Sequence, residues 1–592
     1  MIHITPTAGR PPRSPAGRNT VSAGQPGKIP DRGRTGTGAR ARQILFRLVA
    51  AGETVGGQPT EDEDHTRPDR HPDRGGAGAR TTTPTATRAE PLTDPEPLND
   101  AERRQLDVVR RFGTVGALLM GVGALGAGAA PVINPLPGVR VLGLMTRMPT
   151  VALACTFTGM LMVVLAWLWL GRLAAPRRRR LISRSQMDRT MVMWALPFVV
   201  APPMFSRDVY SYLAQSEIAV RGMNPYELGP ADALGVDDPL TRGVTNIWRE
   251  TPAPYQPLFL ILSRGITMIV GGDNVIPGIL LHRVLALAGF AMIVWALPRL
   301  ARRCGVQPTY ALWLGAANPL VLFHLVSGIH NEALAIGLML AGFELALARS
   351  ALLGTVIVAT AAMVKLPAAL ALGFLGAALA RRAGGRISDL LRTAAWMLAV
   401  FATVVVAASL GSGLGFGWIE ALSTPGMVRS WLSPVTAVSQ TSAGLGILLG
   451  LGNHTDAILA LARALGYAAA AGVCGRLLWV SFRGRMEPMV GLGAGLGAVM
   501  LLGPVLHPWY LLWAALPLAA SSTRLRFRLS ATWLSALVAC AVFPPGSAFD
   551  HRLYVPQFAI LAALVTLILP LLLVRGRIPK AERLFHPAPP GR

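Results

Sequence analysis

The residues best suited to chemistry lie in one heptapeptide, Ser206-Arg207-Asp208-Val209-Tyr210-Ser211-Tyr212, directly after an apolar run that ends in Pro202-Pro203. Ser206 reads as a helix N-cap, which puts Asp208 in the first turn and Tyr212 one turn further along, beside it. A carboxylate there has two readings. It complements the helix dipole, or, at a membrane boundary crowded by Arg207, Tyr210 and Tyr212, it acts as general base towards a sugar hydroxyl. Spacing alone leaves both open.

Further candidates interrupt apolar sequence. Lys365 breaks Met363-Val364-Lys365-Leu366-Pro367; it either snorkels to lipid headgroups or meets a phosphate as charge develops on it. His507 precedes Pro508-Trp509-Tyr510 and is either structural or a ligand for phosphate or sugar. In His330-Asn331-Glu332 the His and Glu could hold a divalent cation; the plainer account is a helix capped by Asn331 with Glu332 in its first turn. Arg283, after His282, reads as a headgroup anchor ahead of a phosphate ligand. Arg463, inside an apolar segment, requires a carboxylate or carbonyl partner. Tyr210, Tyr226, Tyr255, Trp248, Trp431 and Trp509 either stack on sugars or form an interfacial belt, and the belt is preferred for any one of them. Gly491 to Gly497 superficially resembles a dinucleotide loop, but within an apolar segment its glycines serve helix packing. Cys155, Cys304, Cys474 and Cys540 show neither metal-ligand spacing nor a redox pair, so neither a structural zinc nor a disulfide is expected.

These residues must be positioned by a membrane-embedded, all-α chain. Of 592 residues, 52% are hydrophobic and only 15% charged, where a soluble domain carries about 25%. The net charge of +25 resides in a tail and in short clusters between apolar runs, which suits anionic lipid and speaks against nucleic acid. Residues 1–105, rich in Arg, Gly, Pro, Thr and Asp, read as a disordered basic tail. Apolar runs long enough to cross a bilayer, or somewhat shorter, predict about fourteen transmembrane helices. They fall near 112–133, 150–171, 190–205, 276–298, 309–326, 332–348, 351–364, 366–380, 390–410, 456–480, 487–505, 508–520, 529–545 and 553–574.

The clusters Arg177–Arg180, Arg299–Arg303, Arg381–Arg386, Arg483/Arg485, Arg524–Arg528 and Arg575–Lys580 then share one side, which the distribution of positive charge makes cytoplasmic. Both termini fall there, and 576–592 is a short cytoplasmic tail. Keeping that arrangement requires 256–270 to be an amphipathic helix on the outer surface and 441–452 a re-entrant or surface segment. Two large outer loops result, 206–275 and 411–455. The short outer turns carry His324 to Asn331, Lys365, His507 and Phe549 to Arg552, so the polar candidates gather on the outer face.

Several stretches taken together resemble one family: Arg207-Asp208-Val209-Tyr210-Ser211-Tyr212, Asn224-Pro225-Tyr226, Pro254-Tyr255-Gln256-Pro257, Ala316-Ala317-Asn318-Pro319, His330-Asn331-Glu332 and His507-Pro508-Trp509-Tyr510. Over about 110–575 the chain resembles the actinobacterial polyprenol-phosphate-mannose-dependent α-1,6-mannosyltransferases, multispan glycosyltransferases of the GT-C class. The resemblance implies an acidic base opening the first large outer loop, the place of Asp208. It implies substrate contacts, for which Arg207, Tyr210, Tyr212, Tyr255, His330, Lys365, His507 and Tyr510 are the candidates. The implied donor is mannose β-linked to a polyprenyl phosphate. The implied acceptor is a lipid-linked mannan of the lipomannan or lipoarabinomannan type, whose 6-hydroxyl attacks with inversion at the outer face of the plasma membrane. No nucleotide cofactor is required, and a divalent cation stays open. The other reading is a transporter or flippase for a polyprenyl-linked sugar. That should show matched halves and interrupted helices near the midplane, and the sequence has no obvious repeat.

Overall fold

The computed structural model describes residues 95–175, 178–427 and 432–545, together with Ile560, Leu564 and Ile568. The expected span 553–574 (those three positions apart), the turn Phe549 to Arg552, Trp431, the C-terminal tail and residues 1–94 of the expected tail lie outside them. The described chain is almost wholly helical; its strands, Glu96–Pro97 and Arg180–Leu181, pair in parallel.

The expected tail boundary at 105 falls inside a helix. Asp100–Ala127 starts five residues earlier, because Asn99 accepts from the Glu102 amide while the Glu102 carboxylate accepts from the Asn99 amide. Reciprocal bonds of this kind define a capping box, and ion pairs from Arg178 to Glu102 and from Arg179 to Glu96 hold the start in place.

Among the described residues six helices are long and apolar enough to cross a membrane: Asp100–Ala127, Pro149–Ala174, Val275–Arg303, Leu366–Ala383, Ile387–Gly411 and Thr455–Phe482. A seventh span arises if Val321–Ser327 and Glu332–Ala348, bent by 108°, count as one. Several other expected spans are helices of 17 residues or fewer, among them Arg184–Val200, Ala351–Ala362, Pro488–Leu502 and Leu525–Ala541. The bend matters for the site. Val321–Ser327 is a π-helix, a form that concentrates at functional sites, and the break after it carries His330 and Asn331. Irregular backbone of this kind is tolerated in a membrane protein where other helices enclose it.

Helix Glu332–Ala348 packs along Val275–Arg303 at backbone distance. A Cβ on Gly289 would come within 2.3 Å of the Ala333 carbonyl, and one on Gly337 within 2.5 Å of the Gly289 carbonyl oxygen. Small residues permit this approach, and it fixes where the Glu332 end of the helix sits. Gly289→Leu should therefore lower the thermal midpoint of the detergent-solubilised protein, with an overpacking cost of about 1–3 kcal/mol. Gly444→Ala, inside helix Pro434–Leu448 with a Cβ that would meet nothing within 4 Å, should not lower it. The glycines between 491 and 497 also serve packing: a Cβ on Gly491 would lie 2.5 Å from the Phe374 ring.

The first large loop contains helices Asp208–Val220 and Pro257–Val270. The second is one-sided in its burial, covering Phe259, Leu260 and Ile266 while Met268 and Ile269 stand exposed. The first is not. Every residue from Val209 to Ala219 is buried, so this helix is a core element that carries Asp208.

Candidate active site

Asp208 is the first residue of its helix, and its amide donates to Ser206 Oγ at 2.9 Å. The expected N-cap Ser206 lies one residue before the cap position, which is Arg207 and makes no side-chain cap bond; Ser206 instead closes a local turn onto the Asp208 amide. The chain reaches Asp208 through Phe205, whose φ is +67°. For a bulky residue this is an outlier that costs about 1–3 kcal/mol and has to be held by its surroundings. The Phe205 amide donates to the Pro544 carbonyl at 2.8 Å, and its ring stacks on Phe323 at 5.1 Å. Across the site Ile329, just before His330, has φ +57°. Strained residues thus precede both residues that meet in the site, Phe205 three positions before Asp208 and Ile329 directly before His330.

Those two residues bond. His330 Nδ1 lies 3.1 Å from Asp208 Oδ2. A carboxylate only accepts, so Nδ1 carries the proton. The His330 side chain is 0% exposed, whereas Asp208 keeps 29% of its side-chain surface although protein crowds round it. Asp208 is thus held from below and reachable from above. His330 also lies 3.9 Å from Glu332 Oε2, and its ring stacks on Trp509 with centroids 3.9 Å apart. His507 stacks on the same indole at 4.5 Å.

Glu332, fully buried, is paired with Lys365, whose Nζ also donates to Asn331 Oδ1 at 3.3 Å and lies 5.3 Å from the Tyr510 ring. Lys365 therefore does not snorkel to headgroups. Asn331 does not cap its helix through its side chain; its Oδ1 is the acceptor for Lys365. Tyr212 Oη accepts from the Asn331 amide at 3.2 Å, and the Tyr212 ring meets Tyr255 and Phe259 edge-on at 5.1 and 4.7 Å. Tyr255 is placed by Tyr226, whose hydroxyl donates to its carbonyl at 3.0 Å. Gln256 ties the same loop to the lysine turn, its Oε1 accepting from the Leu366 amide at 3.1 Å.

Electrostatics follow from this packing. Burial pushes the Asp208 carboxyl up, but the charge and hydrogen bond of His330, with Lys365 and His507 behind, outweigh it and hold the group at about 2. Burial pulls His507 down to about 4. Burial alone would lower the Lys365 ammonium, yet Glu332 raises it above its ordinary value.

The structure therefore brings Asp208, Tyr212, Tyr255, His330, Lys365, His507 and Tyr510 together. Two expected contacts stand apart. Tyr210 is buried, its hydroxyl donating to the Ala129 carbonyl, and Arg207 donates to the Gly243 and Ala130 carbonyls at 3.3 and 3.2 Å. Both tie loops together. Arg283 is likewise no headgroup anchor: it is 1% exposed and donates to the carbonyls of Val199 and Ala201. Arg463 finds the expected carbonyl, that of Gly426. Among the described residues no group of three or more His, Cys, Asp or Glu could hold a metal ion.

Sequence reasoning undervalued Glu332, Asn331, Trp509 and His324. The signal for the first two was their place beside His330, and for Trp509 its place beside His507. Around Asp208 several buried polar atoms have no hydrogen-bond partner among the described residues: His324 Nδ1 and Nε2, His330 Nε2, Asn331 Nδ2 and Glu332 Oε2. Buried polar groups are nearly always paired, so a cluster of such atoms beside a reachable carboxylate suits a hydroxyl-rich guest.

Comparison with known proteins gives the same direction. A family model described as alpha-(1->6)-mannopyranosyltransferase, N-terminal domain, matches residues 110–381, and one described as MptB C-terminal domain matches 435–572. A probable alpha-(1->6)-mannopyranosyltransferase of Mycolicibacterium smegmatis is 46% identical over 83% of this chain and 92% of its own length. An alpha-(1->6)-mannopyranosyltransferase of Mycobacterium tuberculosis is 44% identical over 82% and 90%. Alpha-(1->6)-mannopyranosyltransferase B of Corynebacterium glutamicum is 36% identical over 77% and 80%. No solved structure matches.

Proposed function

The chain belongs to the alpha-(1->6)-mannopyranosyltransferase family, and from that footing we propose that it transfers mannose from polyprenyl phosphate mannose to the 6-hydroxyl of a lipid-linked α-1,6-mannan, at the outer face of the plasma membrane. The observation that carries this reading is Asp208, a carboxylate that keeps 29% of its side-chain surface, set among buried polar atoms with no hydrogen-bond partner among the described residues. The side is supported by the basic clusters, which fall opposite the site in the span arrangement read from the sequence. The multispan GT-C architecture, and the spans it needs beyond the six or seven, belong to the same proposal.

The chemistry balances. The acceptor O6 forms a bond to C1 of the donor mannose from the face opposite the phosphate, and the C1–O bond to phosphate breaks. The O6 proton passes to Asp208, and the leaving polyprenyl phosphate departs with one more negative charge than it had in the donor. A carboxylate at about 2 is always ionised near neutrality. As a weak base it takes the proton late, after bond formation to C1 has acidified the hydroxyl. Lys365 is the nearby cation suited to the charge growing on the phosphate, and the buried Tyr212 and Tyr255 rings pack behind the site.

Membranes containing the full chain, given labelled polyprenyl phosphate mannose and an α-1,6-dimannoside, should yield a labelled trisaccharide that an α-mannosidase cleaves. Direct transfer from a nucleotide-linked mannose in membranes depleted of polyprenyl phosphate would overturn the donor assignment.

A further inference from the structure

We propose that His330 is the positioning residue for Asp208, its Nδ1–H holding one carboxylate oxygen so that the other faces the acceptor hydroxyl. The proposal rests on the reading of Asp208 as the base.

The geometry serves this role and is not that of an ordinary core histidine. A buried histidine usually satisfies both ring nitrogens within the protein. His282 does so, with Nδ1 on the Gly278 carbonyl at 2.8 Å and Nε2 on Ser263 Oγ at 3.1 Å. His330 makes one side-chain hydrogen bond, to Asp208 Oδ2, and its Nε2 has no partner among the described residues.

The ring is fixed on every side. Trp509 stacks on it at 3.9 Å, Glu332 Oε2 stands 3.9 Å from Nδ1, and the His324 ring lies 5.7 Å away. Its backbone is fixed too. The His330 amide donates to the His324 carbonyl at 3.3 Å, the Asn331 amide donates to Tyr212 Oη at 3.2 Å, and Ile329 is held at positive φ. Strain beside a group that touches the reactive carboxylate fits a device that sets geometry. Asp208 Oδ2 is thereby committed to His330, while Oδ1 accepts no hydrogen bond from a described residue and the side chain stays 29% exposed. Rotation of the carboxylate would break its one side-chain hydrogen bond. Tight orientation of a reacting group is worth orders of magnitude in rate.

The consequence for pH has a definite sign. Burial raises the Asp208 carboxyl, while His330 foremost, then Lys365 and His507, lower it. Tyr212 on its own helix, and Tyr255, His324, Glu332 and Tyr510 on the facing segments, are further titratable groups near it. With His330 removed, burial acts against a weaker opposition, and the carboxyl protonates at higher pH.

The test measures kcat, KM for each substrate and the pH profile of kcat/KM for the full chain in membranes, with polyprenyl phosphate mannose and an α-1,6-dimannoside. His330→Ala should lower kcat about 30-fold or more with both KM values within about threefold. Its acid limb should lie at higher pH than that of the wild type. His330→Gln, whose amide N–H still reaches towards Asp208, should recover part of kcat and confirms that loss in the alanine variant is not misfolding. In an Asp208→Asn background, His330→Ala should cost no more than about twofold, since the two act as a unit. Full kcat in both variants, a raised donor KM with an unmoved acid limb, or an independent loss in the Asn background would each overturn the proposal. If Asp208→Asn alone keeps wild-type activity, it is the base reading that fails.

Discussion

Asp208→Asn is expected to lower the rate of mannose transfer by about 10³-fold, within the 10² to 10⁴ range that general-base catalysis supplies. The amide matches the carboxylate in size, and its oxygen still accepts from His330 Nδ1, so the bond at 3.1 Å survives. What is lost is basicity: an amide oxygen cannot take the hydroxyl proton as O6 bonds to C1. KM for the donor should therefore change little, a kcat effect in the sense of an interaction made in the transition state. The measurement is single-turnover transfer of label at equal expression. A variant within tenfold of wild type would remove Asp208 from catalysis. The pH profile of the wild type is part of the same expectation. A group depressed to about 2 is in its active, ionised form above its ordinary value near 4, and loses it as pH falls through the depressed value. The acid limb of kcat/KM should thus lie below pH 4, and any limb between pH 5 and 7 would belong to another group.

Asp208 was legible in the sequence because a serine, a carboxylate and an aromatic one turn on form a local pattern at the edge of an apolar run. Its sequence neighbours misled for an equally local reason. Helical residues four apart share a face, and residues one or two apart do not. Tyr212 therefore reaches the site with Asp208, while Tyr210 turns away to Ala129 and Arg207 to Gly243 and Ala130. The pairing of Lys365 with Glu332 had no local signal at all, since 33 residues and a whole helix pair separate them. For the spans, a hydropathy window counts apolar residues but not backbone continuity. The runs 309–326 and 332–348 read as two plain spans, yet the first folds as a short helix followed by a π-helix, and the second is bent from that π-helix by 108°. The start of Asp100–Ala127 was hidden in a charged segment, although Asn99 and Glu102 spell a capping box.

The second large effect concerns Lys365 and Glu332, where stability and catalysis separate. Glu332 is fully buried and Lys365 is 21% exposed. Removing one partner leaves the other charge uncompensated, at a cost of about 3–5 kcal/mol. Lys365→Met and Glu332→Leu should each lower the thermal midpoint and the yield of monodisperse protein sharply. The double variant should recover most of that loss, because a buried ion pair can be replaced by packed apolar side chains at little net cost. A double-mutant cycle on the thermal data gives the coupling directly. Activity should not follow. Of the three ammonium donors, one goes to Glu332 and one to Asn331 Oδ1, which leaves one for the oxygen of a leaving phosphate. The refolded double variant should therefore stay at least about 10²-fold below wild type, the scale of a lost electrostatic contact to developing charge. Restoration of activity along with stability would show that Lys365 only neutralises Glu332, and the cation for the leaving group would then have to be sought elsewhere around Asp208.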